Sequence, residues 1–303
     1  MSKLIKIRKF AAIDIGSNAV RLLVSNVINF EGKIIFQKNS FVRVPIRLGQ
    51  DTFSNGEISK KNIKRIIKSM KAFRMLMKIH GVERHLAYAT SALRDAKNCP
   101  EVLDIVYNRA KIKIEIIDGK KEAEIISKAN VFDKIDTLKT YLYIDVGGGS
   151  TELSILKDTK RINSTSFKIG TVRLLNNAVD NLIWNQLEEW VKINTKGYSE
   201  IFLLGTGGNI NKLHKLANIK DNSPITLSAL KQIYYNLKKF NYEERIVKLG
   251  LNPDRSDVII PATELFLKIF KWSGAKFIYV PRAGLSDGMI RELYKTKVES
   301  LKV

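Results

Sequence analysis

The chain has 303 residues, of which 45% are hydrophobic and 27% charged, and no apolar run approaches the roughly 18 residues that a membrane helix needs. This length predicts two domains with sizeable cores, and the single cysteine, Cys99, excludes an internal disulfide. The 52 basic and 30 acidic residues leave a net charge of +22, which predicts either a polyanionic partner or a general bias towards lysine codons.

The N-terminal part alternates strand-like and helix-like segments. Two apolar runs within residues 8–28 flank a tight polar turn, and residues 59–79 carry Ile, Met and Phe at helical spacing among lysines. The apolar stripe of 59–79 favours a packing helix with a solvated outer face over a helix that binds nucleic acid. The further predicted elements are a strand over 33–47, a short strand over 85–89, a strand over 111–118 and a helix from about Lys121.

The opening pattern recurs in the second half of the chain. The sequence Ile-Asp-Ile-Gly at 13–16 matches Ile-Asp-Val-Gly at 144–147, so that Asp14 and Asp145 lie 131 residues apart. In both copies an apolar strand ends in Asp, a turn of small residues follows, and a second apolar strand leaves. A repeat offset near half the chain predicts two related α/β domains.

The C-terminal part also alternates. A third glycine turn, 205–208, follows the apolar strand 201–204 and precedes a helix-like stretch. The remaining predictions are helices over 227–249 and 257–272, a strand over 276–280, a turn over 284–288 and a last helix from Met289. We expect the domain boundary in a continuous helix or strand near 119–140.

These turns suit an anionic ligand. Glycines let backbone N–H groups approach an anion, and a following helix N-terminus adds to the attraction. Asp14 and Asp145 supply the hard carboxylate oxygens that Mg²⁺ prefers, although each could simply cap its turn. Glu122, at a helix start between the two turns, is a candidate general base for water, although composition alone favours a surface residue there.

Seven segments together resemble the exopolyphosphatase and guanosine pentaphosphate phosphohydrolase family (Ppx/GppA), within the actin-like ATPase superfamily. They span nearly the whole chain in family order, and YIDVGGGSTELSIL is the most specific of them. The segments are AAIDIGSNAVRLLV (11–24), AYATSALRDAKN (87–98), IEIIDGKKEAEI (114–125), YIDVGGGSTELSIL (143–156), KIGTVRL (168–174), LLGTGGNINKL (203–213) and NPDRSDVIIPA (252–262).

The resemblance implies a role for each matching residue. Glu122 would be the catalytic base, with Asp145 and Arg94 as its catalytic partners. Mg²⁺ would be held by Asp145, Asp14 and Glu152. Substrate binding would fall to Gly16, Ser17, Asn18, Arg21, Gly147, Gly148, Ser150, Thr151, Gly207 and Arg255.

The resemblance also implies a fold. It would be α/β, with two actin-like (ribonuclease H-like) domains of mixed sheets flanked by helices and an active site in the cleft between them. The domains would be 1–122 and 123–303, with a C-terminal helix, about 287–303, that could pack back on the first. The implied partners are polyphosphate or guanosine penta- or tetraphosphate, without membrane or nucleic acid and with a homodimer as one option. We expect a cytoplasmic location.

The chain departs from the family at three places. Lys121 replaces an acid, Ala262 replaces a glycine, and the late turn 284–288 lacks an arginine. These departures leave open the choice between polyphosphate and pppGpp. Two other functions also stay open at this point: an ATP-dependent kinase or ATPase of the same superfamily, and a polyanion-binding protein without turnover.

Overall fold

A computed structural model of the chain describes residues 5–129, 136, 138–158, 160–220, 223–281 and 283–300, without the side chains of 127 and 297–300. The chain divides into two compact units. The first unit comprises Met1–Asn130 with Gly284–Val303, and the second comprises Val131–Ala283.

The first unit is built on a five-stranded mixed sheet of order β3-β2-β1-β4-β5. The first three strands are antiparallel, and β4 and β5 continue the sheet in parallel. The strands are β1 (Lys6–Ile15), β2 (Val20–Phe30), β3 (Lys33–Val44), β4 (Arg84–Ala89) and β5 (Glu115–Ile116).

Helices of this unit cover the sheet, whose central strands β1 and β2 are buried at consecutive positions. They are α1 (Leu48–Asn55), α2 (Lys60–His80), α3 (Ser91–Asp95), α4 (Cys99–Ala110) and α5 (Gly119–Lys128). On α2, Ile66 and Phe73 are buried in the same core as Ile13 of β1. Each such burial contributes about 1.5–3 kcal/mol. The α2 helix begins where Ser59 accepts a hydrogen bond from the Asn62 N–H and ends at Gly81 in the left-handed conformation.

The second unit repeats this plan on a six-stranded mixed sheet of order β10-β11-β9-β6-β7-β8. Its strands are β6 (Tyr141–Val146), β7 (Thr151–Lys157), β8 (Lys160–Phe167), β9 (Phe202–Thr206), β10 (Ile225–Thr226) and β11 (Phe277–Tyr279). Its helices are α6 (Thr171–Leu175), α7 (Asn181–Thr195), α8 (Gly208–Leu216), α9 (Leu227–Lys239), α10 (Tyr242–Val247), α11 (Pro253–Ser256) and α12 (Ile259–Ser273).

The two sheets confirm the internal repeat and the predicted fold class. In both, three antiparallel strands come first in sequence, and the first of them pairs in parallel with a later strand. The equivalent pairs, Asp14 with Arg21 and Asp145 with Glu152, are cross-strand neighbours in the same register.

The chain then returns to the first unit as α13 (Leu285–Ser300), which packs on α5 and β1. Glu292 of α13 accepts hydrogen bonds from the Tyr88 hydroxyl at 2.9 Å and from Lys128 Nζ at 3.1 Å. Burial and the bond to Glu292 together raise the pKa of Tyr88. Glu292 therefore joins β4 to α5.

Three predicted elements differ from the structure. The strand predicted over 111–118 pairs only at Glu115–Ile116, because Lys111 turns the chain in the left-handed conformation and β4 ends at Ala89. The helix predicted over 227–249 breaks after Lys239, where Asn241 forms a capping box that begins a new helix. The turn predicted over 284–288 is the start of α13.

Candidate active site

The first glycine turn, residues 16–18, lies at the end of β1. It is closed by a 3.1 Å hydrogen bond from the Gly16 N–H to the Ala19 carbonyl. Asp14, just before the turn, is only 4% exposed and forms a 2.5 Å ion pair with Arg21. Asp14, predicted to bind the metal, and Arg21, predicted to bind substrate, are thus paired with each other. A cation that binds Asp14 must compete with the Arg21 guanidinium.

Two carbonyls of the first turn accept hydrogen bonds from the segment that follows β3. The Ser17 carbonyl accepts the Gly49 N–H at 2.8 Å, and the Asn18 carbonyl accepts the Arg47 N–H at 3.0 Å. Because a trans peptide directs its N–H opposite to its carbonyl, the N–H groups of Asn18 and Ala19 point away from these partners. The turn is therefore arranged to offer donors to an anion.

The second glycine turn, residues 147–150, repeats this arrangement. The Gly147 N–H bonds the Ser150 carbonyl at 3.0 Å, the same bond 131 residues later. The start of α6 holds the carbonyls: the Val172 N–H bonds Gly148 at 2.7 Å, and Arg173 Nε bonds Gly149 at 2.7 Å. By the same trans-peptide geometry, the next N–H groups along the turn face away from α6.

A supporting glycine and a threonine fix this second turn. A methyl group on Gly170 would overlap the peptide between Gly148 and Gly149, so the backbone approach requires glycine. Thr151, a predicted phosphate ligand, is fully buried and donates its hydroxyl proton to the Ile169 carbonyl at 2.6 Å. Its hydroxyl thus supports the segment that leads into α6.

Asp145 and Glu152 form a cross-strand pair of carboxylates on one face of the second sheet. Glu152 is 1% exposed and accepts the Ser166 hydroxyl at 2.9 Å. A methyl group on Gly207, which has a φ of 97°, would lie 2.8 Å from the Asp145 carboxylate. Within the described residues, no three His, Cys, Asp or Glu side chains form a metal cluster.

The Asp145–Glu152 pair differs in charge from the Asp14–Arg21 pair that occupies the equivalent position in the first unit. Glu152 occupies the position that Arg21 occupies beside Asp14, so an acid stands where the first unit has the partner cation. Like charges directly opposite each other across two strands repel. The second pair therefore suits a bound cation better than the first, and two carboxylates are the number that Mg²⁺ commonly takes from a protein.

The third turn carries a positive surface at the start of α8. The Arg255 guanidinium lies against Gly208, because a methyl group there would come within 2.7 Å of Arg255 Cζ. Burial, followed by the charges of Lys215 and Arg255, lowers the pKa of Lys212. Cations near a helix N-terminus oppose the helix dipole, so an anion at this point would relieve the repulsion.

Arg94 and Glu122 both follow the carboxyl ends of parallel strands in the first unit. Arg94 Nη1 donates to the Ile117 carbonyl at 2.8 Å, and the Ile117 N–H bonds Ala89 of β4. Asp118 then caps α5 through a 2.7 Å bond from the Lys121 N–H, and Glu122 follows in the first turn with a buried Oε2 atom. Carboxyl ends of such strands are the usual place for ligands in α/β folds.

Sequence reasoning missed several residues of these surfaces. It assigned no role to Arg47, Gly170, Arg173 or Lys212. The segment 168–174 was part of the family resemblance, and its Gly-Thr-Val-Arg run after an apolar residue was the available signal. Arg47 could not be found this way, because its left-handed backbone, with a φ of 64°, is visible only in three dimensions.

Comparisons with known proteins agree with one another. Residues 31–297 match the model of the Ppx/GppA phosphatase family. A bifunctional 3-dehydroquinate synthase/phosphatase of Fusobacterium nucleatum is 33% identical over 95% of this chain and 47% of its own length. Exopolyphosphatase 2 of Mycobacterium tuberculosis is 25% identical over 94% of this chain and 98% of its own. The chain thus spans about half of the first relative and nearly all of the second.

A solved structure shares the fold. The crystal structure of an exopolyphosphatase from Cytophaga hutchinsonii superposes with a TM-score of 0.84 at 22% identity, covering 95% of this chain and 98% of that one.

No helix in the described part of this chain combines the length and the hydropathy needed to cross a membrane.

Proposed function

The chain belongs to the Ppx/GppA phosphatase family, and from this membership we propose that it is a phosphohydrolase that releases terminal inorganic phosphate from polyphosphate, from pppGpp or from both. The observation that carries the proposal is the repeated turn. In each unit the turn carbonyls accept hydrogen bonds on one side, so that the N–H groups of the same peptides point to the other side, where an anion would bind. Such donor sets stabilise charge that develops on a phosphoryl group.

We propose Mg²⁺ as the cofactor, held by Asp145 and Glu152 together with substrate oxygens. The support is the pairing of two carboxylates where the first unit has an ion pair. When bound, Mg²⁺ offsets charge on the phosphoryl oxygens. The role of Asp14 as a ligand stays a prediction, because Asp14 already bonds Arg21.

The reaction itself would use Glu122 and Arg94. Glu122 accepts a proton from water at its carboxylate, the water oxygen bonds the terminal phosphorus, and the bond from phosphorus to the bridging oxygen breaks. The leaving oxygen carries away the electron pair of that bond. Arg94 donates one of its five N–H groups to the Ile117 carbonyl, and this hydrogen bond fixes the side chain. Other N–H groups of Arg94 would bind the phosphoryl oxygens.

The test is phosphate release by the purified chain. Tripolyphosphate, long polyphosphate, pppGpp and ATP would be offered separately, with Mg²⁺ and with a chelator. We expect release from polyphosphate or pppGpp that stops with the chelator and returns with added Mg²⁺. Release from none of the four would end the proposal, and a preference for ATP would favour an ATPase or kinase of the same superfamily.

Three further predictions accompany this proposal. We propose a cytoplasmic location, polyphosphate or a guanosine polyphosphate as the partner, and a homodimer as one assembly option. Fractionation of cells would test the first, and light scattering of the purified chain would test the last.

A further inference from the structure

The exposed face of α2 carries a row of positive charge that the proposed reaction does not use. All members are exposed lysines or arginines, and the 21-residue helix contains no Asp or Glu. At 100° per residue they fall within about 140° of the helix circumference, away from the buried apolar stripe. The row, called here the α2 basic row, consists of Lys60, Lys61, Lys64, Lys68, Lys71, Arg74 and Lys78.

This arrangement does not serve the stability of the helix. Lys60, Lys64 and Lys68 follow one another at i, i+4 spacing, where like charges repel. The first turn has no acidic residue and begins with two lysines, opposite to what the helix dipole favours.

Lysine-rich codon usage alone does not account for the row either. On two other helices, α7 and α10, a lysine is matched with a glutamate at i−4, whereas α9 also lacks acidic residues but carries only three lysines. Lys192 pairs with Glu188 at 2.5 Å, and Lys248 pairs with Glu244 at 2.6 Å. Seven exposed cations on one helix, with no acidic residue among them, point to an external anion.

One end of the row is fixed beside the first glycine turn. Arg65 donates to the carbonyls of Pro45 and Ile46 at 2.6 and 2.9 Å. The next residue, Arg47, bonds the turn through its N–H, as described above. The row then extends from the helix N-terminus for about 27 Å, at 1.5 Å per residue.

From these observations we propose that the α2 basic row binds the extended part of a linear polyphosphate, outside the reacting group. The inference rests on the proposed function and names the longer polymer as its substrate class. Ammonium groups in a line neutralise successive phosphates and release counterions, so binding should depend on chain length and on salt. A short substrate that occupies only the glycine turns would not reach the row.

The test compares two triple variants of the full chain. K64E/K68E/K71E reverses the middle of the row. K231E/K238E/K239E reverses three exposed lysines of α9 and produces the same change in net charge. Binding of fluorescently labelled long polyphosphate, binding of tripolyphosphate, and thermal unfolding would be measured for both variants and for the unchanged chain.

We expect the α2 variant to bind long polyphosphate at least ~10-fold more weakly, with a log–log salt slope reduced by about 3, roughly one for each lost cation. Its KM for the long polymer should rise while kcat and tripolyphosphate affinity stay unchanged, and its melting temperature should not fall, because the variant removes like-charge repulsion. The α9 variant should bind long polyphosphate and tripolyphosphate as the unchanged chain does.

Three outcomes would overturn the inference: equal weakening by the α9 variant, equal loss of tripolyphosphate binding, or tighter binding of single-stranded RNA of matched charge that the α2 variant abolishes. Because binding is measured without turnover, a chain that hydrolyses none of the substrates would sink the proposed function while this comparison still decided the role of α2.

Discussion

Gly288 offers a sharp test of how α13 holds the helix that carries Glu122. A methyl group on Gly288 would lie 2.7 Å from the carbonyl carbon of Ile125 and 2.9 Å from its Cγ2 atom. Ile125 is on α5, one turn after Glu122. The obstacle is backbone, which cannot turn aside as a flexible side chain does, so Gly288→Ala must separate α13 from α5.

The magnitude follows from two opposed terms. Overpacking costs about 1–3 kcal/mol, and the backbone obstacle places this site at the upper end. Alanine within a helix stabilises the folded state by about 1 kcal/mol relative to glycine. The net loss is about 2 kcal/mol, which corresponds to a fall of roughly 4–8 °C in melting temperature for a unit of this size.

Thermal unfolding and phosphate release would both be measured, with Gly284→Ala as the matched control. Gly284 lies four residues earlier, and a methyl group there would have nothing within 4 Å. We expect the control to stay within about 0.5 kcal/mol of the unchanged chain, whereas Gly288→Ala should also lower kcat because Glu122 moves with α5. A Gly288→Ala chain that is as stable as the control would refute this reasoning about the contact.

Three other predictions follow from the same geometry. Glu122→Gln should lower turnover by about 10²–10⁴-fold while substrate binding persists, and near-normal turnover would remove Glu122 from the mechanism. Gly170→Ala should push the Gly148–Gly149 peptide out of place, and we expect both the melting temperature and phosphate release to fall, since that peptide cannot move without opening the second turn. Glu31→Asn should raise the melting temperature slightly. Glu31 has a φ of 52° and precedes a glycine in the two-residue hairpin loop between β2 and β3, where the sequence Asn-Gly is favoured. An unchanged or lower melting temperature would count against strain at that turn.

The comparison of the two turns suggests how one motif serves two tasks. The backbone of each is closed and held in the same way. The difference lies at one cross-strand position, where Arg21 neutralises Asp14 and Glu152 adds to the charge of Asp145. The substitution Glu152→Arg should therefore abolish phosphate release at every Mg²⁺ concentration, and release at the normal rate would remove Glu152 from the metal site.

The sequence by itself determined the repeat, the succession of most strands along the chain and the positions of the three glycine turns. These features are local, because an apolar run that ends in Asp-x-Gly dictates a strand and a turn wherever the chain goes next. The family resemblance followed from the same local segments. It predicted the residues around each turn, although not the bonds that they form.

Only the tertiary structure decided which predicted residues engage each other. The ion pair of Asp14 with Arg21, the burial of the Thr151 hydroxyl and the seat of Gly288 on Ile125 all join segments whose distance is set by packing. The same holds for the strand predicted over 111–118, whose alternation of Lys and Ile is real. Ile112 and Ile114 are buried as predicted, yet only Glu115 and Ile116 pair with β4. The alternating pattern predicts which side chains are buried, whereas pairing depends on how the packed chain approaches the neighbouring strand.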